Sequence, residues 1–392
     1  MKQYLKNLIK SSKIIYYIYY FVFSYILKLI GIFIKTDQNL AVFVCYGGKR
    51  YDDSTRVLYE YIKNNDEYKN IKTIWAFIEP KKFDMIPDDE KIRIDTLKYY
   101  LTLLKSKYWI TNSSVLRGLN FKKKNTKYVI FQHGTLGIKK LGCDLEKKNK
   151  SFASKKHEPI DMFIIQGKKE KEKLKNAFNL KEENIYELGL PRNDELVEVD
   201  NEKVMQIKEK LNIPKGKKVI LYTPTYREYN KDEHLNSVLA LPFDFKKMKK
   251  ELADKYVLVF TAHYEVSKLY QIPENDSFVV NAFEYPYIND LLIIADILIS
   301  DYSSIVFDFS ILERPILCFA YDYDKYMKER GTYLDLNELF YDGVIKNQED
   351  LIKIIKTLDY EKESEFVKRM KETYISKSGN TVQEIAKEIF SR

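Results

Sequence analysis

Two of the four histidines close apolar, β-branched stretches: His133 ends "YVIFQH" and His263 ends "YVLVFTAH". An imidazole titrates near neutrality and can take or give a proton there. In open α/β sheets ligands sit at the carboxyl ends of strands, so the residues just past each apolar run carry the most information. Past "YVIF" stand His133, Gly134 and Thr135, then Lys139 and Lys140, a basic pair that would attract an anion or form a solvated helix face. Past "VILY" stand Thr225 and Arg227. These are a hydroxyl donor and a planar guanidinium that can fork onto phosphate, unless Arg227 is a surface side chain of a charged loop. "DILISDYSSIVFDF" turns at Asp301 and enters a helix with Ser303 and Ser304 in its first turn. Free backbone amides and hydroxyls there make an anion site that a nucleotide diphosphate fits. Asp308, one turn further in, could hydrogen-bond ribose hydroxyls. The same residues could simply cap the helix, and His263 taken alone fits a satisfied histidine near the core. His157 and His234 fall in charged, loop-like stretches and read as solvated.

Positioning these groups requires strands alternating with helices. Candidate strands run through "LAVFVCYGG", "KTIWAFIE", "YWITNSS", "YVIFQHG", "MFIIQG" and "IYELGLPR". After a charged helix near Asn201–Leu211 a second series follows: "KKVILYTPTYRE", "YVLVFTAHY", "SFVVNAF", "ADILISDYSS" and "RPILCFAYD". "STRVLYEYIKNN" reads as a helix capped by Ser54. Such alternation predicts parallel sheets in βαβ units. The expected organisation is a membrane-associating helical segment (1–37), a Rossmann-like acceptor-side domain (38–204), a Rossmann-like nucleotide-binding domain (205–372) and a C-terminal helix (373–392). No internal repeat or low-complexity linker appears.

At 392 residues, 45% apolar and 31% charged, the chain has material for two globular cores. Its net charge of +9 suggests an anionic partner. The lysines are dispersed among acidic residues, with no RNP-type or helix-turn-helix pattern, which argues against nucleic acid. Cys45, Cys143 and Cys318 form no CxxC and read as reduced thiols. No HxxxH, DxD or cysteine cluster is read at a strand end, so no metal or other cofactor is expected. Lys2, Lys6, Lys10 and Lys13 precede a Tyr-rich apolar run, Ile14 to Ile34, interrupted by Ser24 and Lys28. The run is nearly long enough to span a bilayer, but leading lysines would then put the remaining chain outside. A helix lying in the interface of the cytoplasmic membrane face is the preferred reading, an ordinary core helix the alternative.

In order along the chain, "HGT…KKLG", "GLPRND", "ILYTPTYR", "AHY", "SDYSSIVFDF", "RPILCFAYDYDKY…RGTYLDL" and "SGNTVQEIAKEIF" resemble the CDP-glycerol glycerophosphotransferases that build teichoic acid-type polymers. The resemblance covers nearly everything from Cys45 onward. It implies a GT-B-type α/β fold, two Rossmann-like domains facing a cleft, with monotopic attachment to the bacterial membrane. It also implies transfer of polyol phosphate from CDP-glycerol or CDP-ribitol to a hydroxyl of a polyol-phosphate or glycan acceptor, with release of CMP. His133 matches the family's base and His263 its second histidine, which contacts the diphosphate and assists the leaving group. Thr225, Arg227, Ser303 and Ser304 would hold phosphates, Asp301 would orient them, Asp308 or Glu313 would reach the ribose, and Gly134, Thr135, Lys139 and Lys140 would face the acceptor. Leu136 and Gly137 stand where relatives often carry proline, which lengthens the acceptor-side loop. A GT-B glycosyltransferase using a nucleotide sugar is the rival reading, since fold does not fix function.

Overall fold

The computed structural model describes residues 12–135, 137–140, 144, 158–225, 244–261 and 276–391. Arg227, His263, His157, His234, Cys143 and the leading Lys2, Lys6 and Lys10 lie outside the described residues.

Thirteen described strands make two sheets in which every pairing is parallel. The first contains β1 (Asp37–Val44), β2 (Lys72–Phe77), β3 (Lys91–Arg93), β4 (Ser106–Thr111), β5 (Lys127–Phe131), β6 (Met162–Ile165) and β7 (Ile185–Glu187), ordered β3-β2-β1-β4-β5-β6-β7. The second contains β8 (Lys218–Tyr222), β9 (Tyr256–Phe260), β10 (Val279–Asn281), β11 (Ile297–Ser300), β12 (Ile316–Phe319) and β13 (Val344–Ile345), ordered β10-β9-β8-β11-β12-β13. Both sheets start centrally, grow to one edge, then return and grow the other way. The reversal lies between β1 and β4 in one sheet and between β8 and β11 in the other, where neighbouring connections leave in opposite directions and open a crevice.

The near-continuous apolar runs follow from burial on both faces. Side chains alternate along a strand, so Val42 and Val44 enter one core of the first sheet while Ala41, Phe43 and Cys45 enter the other. Likewise Val219 and Leu221 face one core of the second sheet, and Ile220 and Tyr222 the other. Eleven of the strands are those anticipated. β3 and β13 are three- and two-residue edge strands, too short to show any alternation.

The helix after β1 is Asp53–Lys63, and Ser54 does not cap it. Ser54 is buried inside the first turn, and its Oγ faces the Arg192 amide at 3.4 Å. The second-sheet layer ends with the helix Tyr360–Tyr374, whose Val367 and Met370 join its core. The chain then crosses back. The Ser376 amide donates to the Gln166 carbonyl at 3.2 Å, and the helix Thr381–Phe390 buries Ile385, Ala386, Ile389 and Phe390 against the first sheet. Asp194 of "GLPRND" anchors this return by accepting from the Gly379 and Val382 amides (both 3.1 Å) and from Thr381 Oγ1 (2.9 Å). Gly189, at φ 81°, permits the crossing, since a Cβ there would lie 2.7 Å from the Lys377 carbonyl.

The N-terminal helix, Lys13–Phe33, begins where the Ser12 hydroxyl accepts from the Ile15 amide. Among the described residues it is the one helix long and apolar enough to cross a membrane. It lies along the first half through one narrow face. Tyr16 donates to the Gly118 carbonyl at 3.5 Å, Ser24 accepts from the Asn120 amide at 2.9 Å, Leu27 enters the core, and Gly31 lets Leu104 approach. The polar interruption at Ser24 is thus a docking contact. Ile14, Ile18, Phe21, Val22, Tyr25, Ile32 and Phe33 remain exposed.

Candidate active site

Residues just past the carboxyl end of β5 meet residues just past the carboxyl end of β11. Past β5, Gly134 lies so close to the second half that a Cβ there would sit 2.2 Å from Ser304 Oγ. A Cβ on Gly137 would sit 2.4 Å from the Phe307 ring. The two glycines therefore let the segment after β5 rest on the helix Ile305–Ser310 that follows β11. Lys139 continues this contact by an antiparallel bridge to Thr332. The Lys140 carbonyl accepts from Arg330 Nη2 at 3.4 Å, and the Tyr333 amide donates to the Ile138 carbonyl at 2.7 Å. The structure thus brings His133, Gly134, Thr135 and Ser304 together, with Lys139 and Lys140 leading away along the second half. Thr135 Oγ1 is buried and has no hydrogen-bond partner among the described residues.

At the second reversal point Asp301 is fully buried. Its carboxylate accepts from the Thr225 amide (3.0 and 3.2 Å) and from its neighbour Tyr302 (2.6 Å), tying the loop after β8 to the loop after β11. Ser303 Oγ accepts from the Ile305 amide at 3.3 Å. The helix that starts here has six residues, too short for a large macrodipole, so hydroxyls are the main donors on offer. Glu313, at φ 53°, pairs with Lys371 at 2.8 Å. An Asp-x-Asp, Asp322 and Asp324, does follow β12, against the expectation of none at a strand end. Asp322 accepts from the Tyr302 hydroxyl at 3.1 Å, and Asp324 pairs with Lys346 at 3.0 Å. Among the described residues no group of three or more His, Cys, Asp or Glu side chains could hold a metal ion.

Asp308 is engaged on both oxygens. Oδ2 accepts from Arg192 Nη2 at 2.8 Å and Oδ1 from Asn193 Nδ2 at 2.7 Å. The other guanidinium nitrogen of Arg192, Nη1, lies 3.3 and 3.4 Å from the Asp53 carboxylate. Asp53 also accepts from Asn112 Nδ2 (2.8 Å) and the Tyr46 hydroxyl (3.0 Å), and Asn112 Oδ1 accepts from the Tyr46 amide (2.7 Å). Asn289 of the second half donates to the Arg192 carbonyl. Tyr46 (φ 45°) and Asp53 (φ 63°) both hold left-handed backbone conformations costly for non-glycine residues, the kind of strain that persists where surrounding contacts over-determine it.

The charges follow from this packing. Burial alone would raise the Asp53 pKa, but Arg192, the Ser54 amide, Asn112 and His133 hold it below the ordinary carboxylate value. Burial opposes the Arg192 charge, and Asp308 and Asp53 overcome it, so the guanidinium is held more firmly protonated than usual. Asp52, next door, is pushed up to about 6 by burial and by the Asp53 charge. His133 is exposed beside this network. Desolvation lowers its pKa, with Arg192 and Lys139 adding to the effect, while Asp53 and a hydrogen bond with the Asn112 backbone oppose it. The net result is a lowered pKa, so the charged imidazolium is disfavoured. Tyr46 meets it edge-on, ring centroids 6.2 Å apart.

Sequence reasoning assigned no role to Tyr46, Asp53, Asn112, Arg192 or Asn193. Asn112 had the right address at a strand end, and Arg192 and Asn193 lay inside a noted motif. Nothing in linear order says that Asp53 and Asp308 share one guanidinium.

Residues 26–391 match the family described as CDP-Glycerol:Poly(glycerophosphate) glycerophosphotransferase. The chain is 32% identical to a teichoic acid glycerol-phosphate transferase of Staphylococcus aureus, over 91% of each chain. It is 31% identical to a teichoic acid poly(glycerol phosphate) polymerase of Bacillus spizizenii, over 94% of this chain and 96% of that one. It spans less than half, 45%, of a Staphylococcus epidermidis polymerase to which it is 34% identical. A structure of the wall teichoic acid polymerase TagF soaked with CDPG superimposes with a TM-score of 0.81 at 31% identity, covering 90% of this chain and 89% of that one. On the extent of these matches, the chain belongs to the CDP-glycerol:poly(glycerophosphate) glycerophosphotransferase family.

Proposed function

We propose that this chain transfers polyol phosphate, glycerol or ribitol phosphate, from a CDP-polyol to a hydroxyl of a teichoic acid-type or capsular acceptor and releases CMP. The observation that carries this is His133: an exposed imidazole just past a strand end, packed through Gly134 against Ser304. The acceptor hydroxyl attacks the phosphorus bearing the polyol, and His133 takes its proton. The bond from that phosphorus to the bridging oxygen breaks, and the electron pair leaves on CMP. His263 assists that leaving group, while Thr225, Arg227, Ser303 and Ser304 hold the diphosphate oxygens. Asp301 fixes the loops that carry Thr225 and the serines. Lys139 and Lys140 draw the phosphorylated acceptor in. Asp308, already engaged on both oxygens, acts through Arg192, and Glu313 pairs with Lys371.

In this reading the two sheets are the halves of a GT-B-type cleft, residues 38–204 on the acceptor side and 205–372 on the nucleotide side, with the helix 373–392 returning to the first. The exposed apolar strip of the N-terminal helix, preceded by lysines, lies in the cytoplasmic face of the membrane, where the acceptor is anchored. A helix docked from Tyr16 to Gly31 would lose those contacts by spanning, which favours the peripheral arrangement.

Purified protein given CDP-glycerol, CDP-ribitol or UDP-sugars with a short polyol-phosphate oligomer tests the proposal. Acceptor-dependent CMP from one CDP-polyol, lost in His133→Ala, is the expected result. UDP release from a sugar donor would overturn it.

A further inference from the structure

We propose that Arg192 is a positioning residue that couples the phosphate-holding helix of the second half to the His133 base, through Asp308 on one side and Asp53 and Asn112 on the other. The inference rests on His133 being the base.

A continuous set of buried contacts joins the two. Asp308 stands on the helix whose first residues follow Ser303 and Ser304, and Arg192 Nη2 binds it at 2.8 Å. Nη1 of the same planar group lies 3.3 Å from Asp53 Oδ2. That oxygen accepts from Asn112 Nδ2 at 2.8 Å and from the Tyr46 hydroxyl at 3.0 Å, and the Tyr46 ring meets the His133 ring edge-on with centroids 6.2 Å apart. A guanidinium is the one side chain that can hold two carboxylates in fixed relative orientation. Any shift of the second half moves Asp308, and the plane of Arg192 carries that shift to Asp53. The Tyr46 ring, held by Asp53 and Asn112, in turn sets the position of the imidazole.

A tie of purely mechanical value would not need ions, because buried ion pairs add little to stability over well-packed apolar groups. This one ends on the group that moves the proton. The charged or titratable groups facing His133 are Asp53 from the helix after β1, Arg192 from the segment after β7, Tyr46 from the turn after β1 and Lys139 from its own loop. Asp53 favours the imidazolium, whereas Arg192 and Lys139 oppose it.

Asp53→Asn and Asp308→Asn are isosteric, and each leaves Arg192 one carboxylate, so both should fold; thermal melts verify this. With Asp53→Asn the acid limb of kcat/KM moves to lower pH, because the imidazolium loses its favourable neighbour. With Asp308→Asn, kcat falls by about tenfold or more with donor KM unchanged, as expected when a supporting group misplaces a base. A ribose contact would instead raise donor KM. Arg192→Lys keeps the charge but cannot hold both carboxylates, so kcat falls while the limb stays near its wild-type position. An unmoved limb in Asp53→Asn, or an unchanged kcat with raised donor KM in Asp308→Asn, overturns the coupling. A His133→Ala protein with wild-type rate and pH profile overturns the base assignment itself, a separate failure.

Discussion

Gly134→Ala tests the contact on which the site geometry depends. The added Cβ would fall 2.2 Å from Ser304 Oγ and 3.2 Å from Ser304 Cβ, where ordinary contact begins at 3.4 Å. Ser304 Oγ can rotate away, but Ser304 Cβ and the backbone at φ 158° cannot, so the segment carrying His133 or the turn carrying Ser304 must give by a few tenths of an ångström. Both hold groups proposed to act in the reaction; a displacement of about 1 Å costs on the order of 10²-fold in rate, so a few tenths with backbone strain should cost up to about tenfold, or about 1.4 kcal/mol of transition-state stabilisation. Acceptor-dependent CMP release in Gly134→Ala should therefore fall by roughly that factor, with a thermal midpoint lowered by only a few degrees, as for modest overpacking. The two nearest atoms belong to one side chain, so removing it should remove the conflict. Ser304→Gly alone removes a proposed phosphate donor and should slow the reaction. Adding Gly134→Ala to it should then cost little more, a strongly non-additive cycle. Full activity in Gly134→Ala, or losses that simply multiply in the double variant, would refute the packing of the base loop on the nucleotide-side helix.

Asp194→Ala removes the acceptor for three donors at the start of the helix Thr381–Phe390. Loss of about 1–2 kcal/mol is expected from a cap of this kind, read as a lower denaturant midpoint with unchanged donor KM. Glu363 is buried without a hydrogen-bond partner for either oxygen among the described residues, and burial beside Asp342 pushes its pKa up to about 8. The folded protein therefore binds a proton that the unfolded chain has lost, so stability falls as pH rises from about 4.5, the ordinary value, to about 8. Glu363→Gln should raise the melting temperature at pH 8 and have a smaller effect at pH 5; a gain of equal size at both would count against the buried acid. Ile18→Glu with Val22→Glu places charge on the exposed strip of the N-terminal helix. Co-sedimentation with anionic vesicles should drop by about tenfold or more, while turnover of a soluble acceptor is retained; undiminished sedimentation would mean that another surface binds.

The strands were legible because burial on both faces leaves continuous apolar runs, and the positions just past them were legible because topology makes strand ends functional. That is why His133, Ser304, Asp301 and Thr225 could be named from linear order. β3 and β13 escaped because two or three residues cannot show a period. Ser54 was misplaced because a serine before an apolar run has the signature of a cap, and only the left-handed turn at Asp53 draws it into the helix. Asp308 shows the deeper limit. Its address one turn past two serines suggests a ligand contact, but Arg192, 116 residues earlier, occupies one of its oxygens, and Asn193 the other. Periodicity and turn chemistry describe what a residue does with its neighbours in the chain, within about four positions. A buried ion network is chosen by partners from three separate segments, and its members have no propensity in common. The groups proposed to meet substrate were visible because such groups stand at the ends of elements, whereas those that hold them in place are free to come from anywhere the fold brings a complementary charge.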